Sequence, residues 1–161
     1  MLFKIEKCHE EVTDAELSAL LDEVYVQGGF IRKDVAESVF EPNKVKARGQ
    51  MLCARDTATS ELVGMVIVVP PTSSTVVRAK QDECEMHLLG VKNNFRNLGV
   101  GKQLVSHALA FAQENHWKKM ILWTQLTMTS AHKLYESFGF VQTDKMVKSD
   151  IAFIVYEKEL F

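Results

Sequence analysis

Cysteine, proline and tryptophan are scarce in this sequence, and each shortage closes off a class of protein. The three cysteines, Cys8, Cys53 and Cys84, are an odd number, lie far apart and show no CxxC spacing. No disulfide framework, redox pair or zinc cluster is expected from them, which favours a reducing, cytoplasmic compartment. Three prolines and eight glycines in 161 residues are too few for collagen or a low-complexity linker. No stretch approaches the ~20 apolar residues that span a bilayer, and residues 1–10 lack the basic start and apolar core of a secretory leader. Charge of one sign is lacking too: 19 Lys and Arg stand against 21 Asp and Glu, a net charge of -2. A nucleic-acid or acidic-membrane partner ordinarily requires a basic face, and the basic runs at 44–48 and 118–119 are short enough to read as solvated surface. His9, His107, His116 and His132 have no metal-ligand spacing with acidic partners. The expectation is a soluble cytoplasmic protein without metal, nucleic acid or membrane.

What is present fits a folded enzyme-sized unit. Hydrophobic residues make up 47% and charged residues 25%, near globular averages. A chain of this length forms one domain, 1–161, burying roughly 70% of the surface its unfolded form exposes. Alternating or β-branched runs predict strands over 2–7, 51–55, 62–69, 84–91, 119–125, 141–146 and 151–157. Helices are predicted from Thr13 or Asp14 to the Gly28-Gly29 pair, over 32–40 before Glu41-Pro42, over 99–115, and over 129–138 before Gly139. The third of these carries Val100, Leu104, Val105, Ala108, Leu109 and Ala112 as one apolar stripe. Two consecutive strand-then-helix units imply parallel neighbours, and the strand pairs around them imply antiparallel ones. The fold class is therefore α/β (α+β): a mixed, mostly antiparallel sheet of about seven strands flanked by about four helices.

The passage from the strand at 84–91 to the helix at 99–115 is the richest in chemistry. A helix N-terminus presents unpaired N–H groups and about half a positive charge, a ready site for phosphate oxygens. Gly99 and Gly101 remove side chains that would block such oxygens, while Arg96 and Lys102 add charge at either edge. The order RxxGxG, deep in the chain, differs from the GxGxxG of a dinucleotide-binding first turn.

Arg96-Asn97-Leu98-Gly99-Val100-Gly101 resembles the (Arg/Gln)xxGx(Gly/Ala) signature of the GNAT superfamily of acetyl-coenzyme A-dependent N-acetyltransferases. Residues 131–140, Ala-His-Lys-Leu-Tyr-Glu-Ser-Phe-Gly-Phe, are similar to that superfamily's second signature, AxxLYexxGF. The likeness is strongest over 83–140. It implies a splayed parallel strand pair at the middle of the sheet, with the pantetheine arm bonding backbone groups of Leu89, Gly90 and Val91, and the Leu89 N–H facing the thioester carbonyl. The amides of Leu98, Gly99, Val100, Gly101 and Lys102 would hold the pyrophosphate. Tyr135 matches the tyrosine that protonates the departing thiolate. Where many members carry an asparagine, seven residues before that tyrosine, this chain has Met128, so a coenzyme contact is either missing or supplied by Thr127, Thr129 or Ser130.

An amine acceptor must lose protons, and the candidates for that work are Glu85, His87 or a chain of waters. Strand alternation places Glu85, His87, Leu89 and Val91 on one face. Glu85 and His87 stand where different branches of the superfamily carry their base. Cys84 points to the opposite face and is no nucleophile. By the same resemblance the acceptor pocket involves Tyr25, Phe30, Arg32 and Trp123, with Gln125 and the final hairpin, and Arg32 is a candidate for a substrate carboxylate. The expected activity is transfer of the acetyl group of acetyl-coenzyme A, a cosubstrate, to a primary amine of a small or amino-acid-like molecule by direct attack in a ternary complex. A non-catalytic acetyl-coenzyme A sensor and a protein lysine or N-terminal acetyltransferase remain open, as does a homodimer.

Overall fold

In the computed structural model, which describes residues 2–161, the apolar alternations assemble into one seven-stranded sheet. Strands β1 (Phe3–Cys8), β2 (Gln50–Asp56), β3 (Leu62–Val69), β4 (Glu83–Val91), β5 (Lys119–Gln125), β6 (Val141–Lys148) and β7 (Ile151–Glu159) stand in the order β1-β2-β3-β4-β5-β7-β6. Every pairing is antiparallel except that of β4 with β5. That parallel ladder is short: Glu83, Cys84 and Glu85 face Lys119, Met120 and Ile121, and the pairing stops there. A mixed sheet with a splayed central pair is thus present as expected.

Five helices cover the sheet rather than about four: α1 (Asp14–Leu21), α2 (Lys33–Val39), α3 (Pro42–Lys46), α4 (Val100–Glu114) and α5 (Thr129–Ser137). The unexpected one is α3. Pro42 does end the preceding helical stretch, but at the first position of a new helix its missing N–H costs nothing. The Glu41 carboxylate meanwhile accepts from the Asn43 and Lys44 N–H groups, each at 3.1 Å.

Alternation along the central strands divides the core between the two faces. On one side α4 lays its whole predicted stripe, Val100 to Ala112, over Leu52, Val66, Val68, Cys84 and Met86. On the other, Leu17, Leu20 and Leu21 of α1 pack over Met51, Cys53, Met65, Ile67 and Val69. Among the described residues no helix is long and apolar enough to cross a membrane.

The cysteine expectation requires correction, because Cys8 and Cys53 are joined in a disulfide. Antiparallel β1 and β2 set Cys8 opposite Met51, so Cys53, two residues on, shares its face as a diagonal neighbour 6.1 Å away between α-carbons. A separation of 45 residues hid that proximity, and the cysteine argument for a reducing compartment falls with it. Cys84 is free and buried, and burial pushes its thiol up to about 12.

Helix α1 is fastened at its start by a reciprocal cap. The Glu16 N–H donates to Thr13 Oγ1 at 3.1 Å and the Thr13 N–H to Glu16 Oε2 at 3.0 Å, while Arg55 on β2 donates to Glu16 Oε1 at 2.7 Å. The Arg55 hydrogen bond, against the opposing effect of burial, brings the Glu16 carboxyl down to about 2. A depressed carboxyl stabilises the fold above its unfolded value of 4.5 and loses that contribution as pH falls toward 2. Glu16→Gln should therefore lower stability by about 1–2 kcal/mol at pH 7 and by much less at pH 2. Urea unfolding at the two pH values checks this, and an equal loss at both would show that the carboxylate charge is not involved.

Candidate active site

The splay begins just past Glu85, and β4 is irregular there. His87 pairs with Ile67 but Gly90 with Met65, so three steps on β4 oppose two on β3. This is a bulge, and Leu88 within it takes a left-handed conformation with φ 55°. The expectation that Glu85, His87, Leu89 and Val91 share one face is corrected accordingly. Glu85 and His87 lie opposite Val69 and Ile67 on the α1 side, whereas Leu89 and Val91 pack with the α4 cluster. The extra residue inverts the alternation. No glycine marks the place, since a leucine carries the positive φ.

The bulge and the separated strands enclose a cavity of about 130 Å³. His87, Leu88 and Leu89 of β4 line one wall, Trp123, Thr124 and Gln125 of β5 another, and Tyr25, Arg48 and Tyr135 reach in from the helical layers. Tyr25 comes from a π-helical turn, Asp22–Val26, that prolongs α1, and its hydroxyl donates to the Leu89 carbonyl at 3.0 Å. Tyr135 is only 6% exposed, with its ring edge against Phe140. No hydrogen bond to its hydroxyl is made by any described residue, yet the oxygen is not sealed from the cavity. Burial, then the neighbouring Tyr25, raise its phenol above the ordinary value, so it stays protonated.

Behind the cavity wall lies Glu85, fully buried and absent from the lining. Its carboxylate accepts from the N–H groups of Val77 at 3.0 Å, Arg78 at 2.6 Å and Ala79 at 2.7 Å, and from His87 Nε2 at 2.8 Å. Burial opposes its ionisation, but His87 and the Arg78 and Ala79 amides prevail and hold the carboxyl below its ordinary value. Because His87 Nε2–H donates to Glu85, Nδ1 is the acceptor, and Arg48 Nη1 donates to it at 3.2 Å. Burial, together with the Arg48 charge and against the pull of Glu85, keeps the ring below the usual histidine value and therefore neutral at pH 7. Trp123 packs against the ring at 5.0 Å. Both candidate bases are thus fully bonded to the protein in this geometry.

A second hollow, a cleft of about 700 Å³, adjoins the first and shares Tyr25, Leu89, Met128 and Ala131 with it. Two helix N-termini open into it. Gly99 caps α4 in the left-handed region at φ 88°, preceded by Asn97 at φ 61°, and no side chain bonds the first N–H groups of α4. Met128 caps α5, again without a side-chain bond, and its sulfur accepts from Thr124 Oγ1 at 3.5 Å. Two uncapped positive helix ends facing one cleft suit the phosphates of an elongated anion. The space at Gly101 is tight: an added Cβ would stand 3.3 Å from Leu134 Cδ2. These features fit a coenzyme A pyrophosphate, with Arg96 and Lys102 on the rim.

The residues singled out in the sequence divide clearly. Leu89, Gly90, Val91, Arg96, Asn97, Gly99, Val100, Gly101, Lys102, Ser130 and Phe30 line the cleft, and Leu98 instead points to solvent. His87, Trp123 and Tyr135 line the cavity, and Tyr25 both. Arg32 lines neither; its side chain is 79% exposed and pairs with Asp34 at 3.4 Å. The residue missed was Arg48, hidden in a basic run that reads as surface. Gly49 lies where a Cβ would collide with the Val68 carbonyl, and this close approach to β3 carries Arg48 over β4. No metal-ligating group of three or more His, Cys, Asp or Glu occurs among the described residues.

Comparison with known proteins agrees with this architecture. The model of the Acetyltransferase (GNAT) family matches residues 15–140. The chain belongs to this family of acyltransferases. Over 61 residues it is 44% identical to an uncharacterized N-acetyltransferase of Dictyostelium discoideum, covering 38% of this chain and 28% of that protein. It is 33% identical over 79 residues to the N-acetylaspartate synthetase of Danio rerio, 49% of this chain and 27% of that one. With human N-alpha-acetyltransferase 30 the identity is 27% over 120 residues, 73% of this chain and 32% of that one. The chain thus spans about a third or less of the length of these relatives. A GNAT-family acetyltransferase of Staphylococcus aureus shares the fold over 99% of both chains, with a TM-score of 0.77 at 19% identity.

Proposed function

We propose that the chain transfers the acetyl group of acetyl-coenzyme A to the α-amine of a small, amino-acid-like acceptor, by direct attack in a ternary complex. The observation that carries this is the uncommitted Tyr135 hydroxyl in a small cavity that opens from a cleft with two free helix N-termini. Acetyl-coenzyme A supplies an activated acyl carbon: a C–N bond forms there, the C–S bond breaks, and the sulfur must end protonated. The amides opening α4 and α5 bind the phosphates, and the Leu89 N–H donates to the carbonyl as negative charge builds on its oxygen. Tyr135 donates to the departing sulfur. A phenol raised by burial is a weak acid in water, but the same apolar surroundings raise the pKa of the coenzyme thiol as well, so its thiolate takes the proton, and the proton lost by the amine returns to Tyr135 through water.

Neither Glu85 nor His87 offers a free lone pair to the cavity, which bears on the acceptor. The α-amine of a peptide or amino-acid amide, with a pKa near 7.7–8.0, is partly neutral at pH 7, that of a free amino acid is held higher by its own carboxylate, and a lysine amine near 10.4 is almost wholly charged. A site without an open base therefore disfavours lysine amines, and an α-amine that binds neutral loses its remaining proton through water. The two named relatives carry names that concern an amino acid and an N-alpha position, which supports an α-amine. A cavity of about 130 Å³, well below the ~300–1,000 Å³ of sites for drug-sized ligands, suits a small acceptor group.

Two measurements test the assignment. Acetyl-coenzyme A at about 100 times its dissociation constant should stabilise the protein by roughly 2.7 kcal/mol, and the absence of a thermal shift at millimolar ligand overturns the coenzyme site. Free-thiol release should then appear with α-amino compounds. A shift without release from any amine would leave a sensor, and release confined to lysine peptides would reassign the acceptor.

A further inference from the structure

We infer that Arg48 is an anchor for a carboxylate on the acceptor, so that the acetylated amine belongs to a molecule carrying a carboxyl group near it, as a free amino acid does. The inference rests on the transferase assignment above and narrows its substrate class.

The five arginines of the chain divide by their partners. Arg55 pairs with Glu16 at 2.7 Å, Arg78 with Asp144 at 2.7 Å and Arg32 with Asp34 at 3.4 Å. Arg96 and Arg48 pair with no described carboxylate, and each lines one of the two hollows. Arg96 borders the cleft whose helix ends suit phosphate. Arg48 is half-buried in the wall of the inner cavity, and its one hydrogen bond goes to His87 Nδ1. The rest of its planar fork is uncommitted. The carboxylate of Glu85, whose oxygens are occupied by four donors from the 77–79 backbone and His87, is not turned to it.

An unpaired guanidinium withdrawn from water is unfavourable until an anion meets it, and its fork geometry matches a carboxylate with two parallel bonds. Among the described residues that line the cavity, Arg48 is the one charged side chain, so the wall beside the acceptor is positive and disfavours a simple cationic amine. An acceptor that carries its own carboxylate relieves that repulsion and is oriented by it, with the amine left to face Tyr135 on the same cavity.

The test compares amino acids, their C-terminal amides and the corresponding amines without the carboxyl group. In thiol-release assays, with each kcat/KM corrected for the fraction of neutral amine, the acid should exceed its amide by about 10- to 100-fold, and Arg48→Gln should bring that ratio near one by raising KM for the acid. Arg48→Lys, which keeps the charge without the fork, should retain part of the preference, and it stands in if the glutamine variant fails to fold. Equal corrected values for acid and amide in the unaltered protein, or a preference that survives Arg48→Gln, overturns the anchor.

Binding is read separately from turnover by the nitrogen resonances of the His87 ring with coenzyme A present. Acids should shift Nδ1, and amides should not. If acids shift it but nothing is acetylated, the anchor stands and the transferase assignment fails. If amines are acetylated without that shift, the anchor fails alone. With neither, both fail.

Discussion

Tyr135→Phe is expected to lower kcat by about 10²-fold or more while leaving acetyl-coenzyme A affinity within about threefold. The ring makes the packing contacts, with Phe140 and Tyr156 at centroid distances of 5.9 Å and 6.2 Å, and phenylalanine keeps these. Only the hydroxyl is lost, and no described group is bonded to it. Stability should therefore change by less than about 0.5 kcal/mol, because no partner is left unsatisfied. Kinetics with a saturating acceptor, together with a urea unfolding curve, separate the possibilities. A large stability loss with unchanged kcat would make Tyr135 a packing residue, and a weakened coenzyme affinity at constant kcat would place its role in binding.

The second large effect is expected at Glu85, and there it falls on stability. Glu85→Gln replaces a carboxylate that accepts from four donors by an amide that brings donors of its own. At least one N–H from the 77–79 backbone or from His87 then faces another donor in a fully buried setting. The expected loss is about 3–5 kcal/mol at neutral pH. The folded carboxyl lies below 4.5, so its contribution is present above that value and declines as pH falls through the folded pKa. The glutamine variant should lack this acid-side decline. Because Glu85 lines neither hollow, it acts by holding His87 and the 77–79 segment in place, and kcat should fall by only about 10-fold. A loss of 10² to 10⁴ with stability intact would instead identify Glu85 as the base.

The strongest local signals are legible in the order of residues alone. The β-branched run of β3 and the apolar stripe of α4 specify their elements through side-chain period. Gly99 marks the α4 terminus because a left-handed turn there favours glycine. The paired signatures around Gly99 and Tyr135 point to the proposed donor and to the proposed proton-donating side chain for the same reason: they are contiguous in the chain, and their chemistry depends on local backbone.

Tertiary structure decided everything that depends on residues distant in sequence. The bulge at Leu88 arises from the mismatch between β4 and β3, and without a glycine to announce it the run Glu85, His87, Leu89 and Val91 reads as one unbroken face. Cys8 and Cys53 meet only because β1 and β2 pair in a particular register. Whether Glu85 is a free base or a bonded clamp depends on where the 77–79 backbone lies, and Arg48 becomes a cavity residue only through the packing of Gly49 on β3. A sequence specifies period, caps and turns through neighbours in the chain. The sign of the charge in the inner cavity is set by which side chains are left without partners, and pairing is a property of the folded chain.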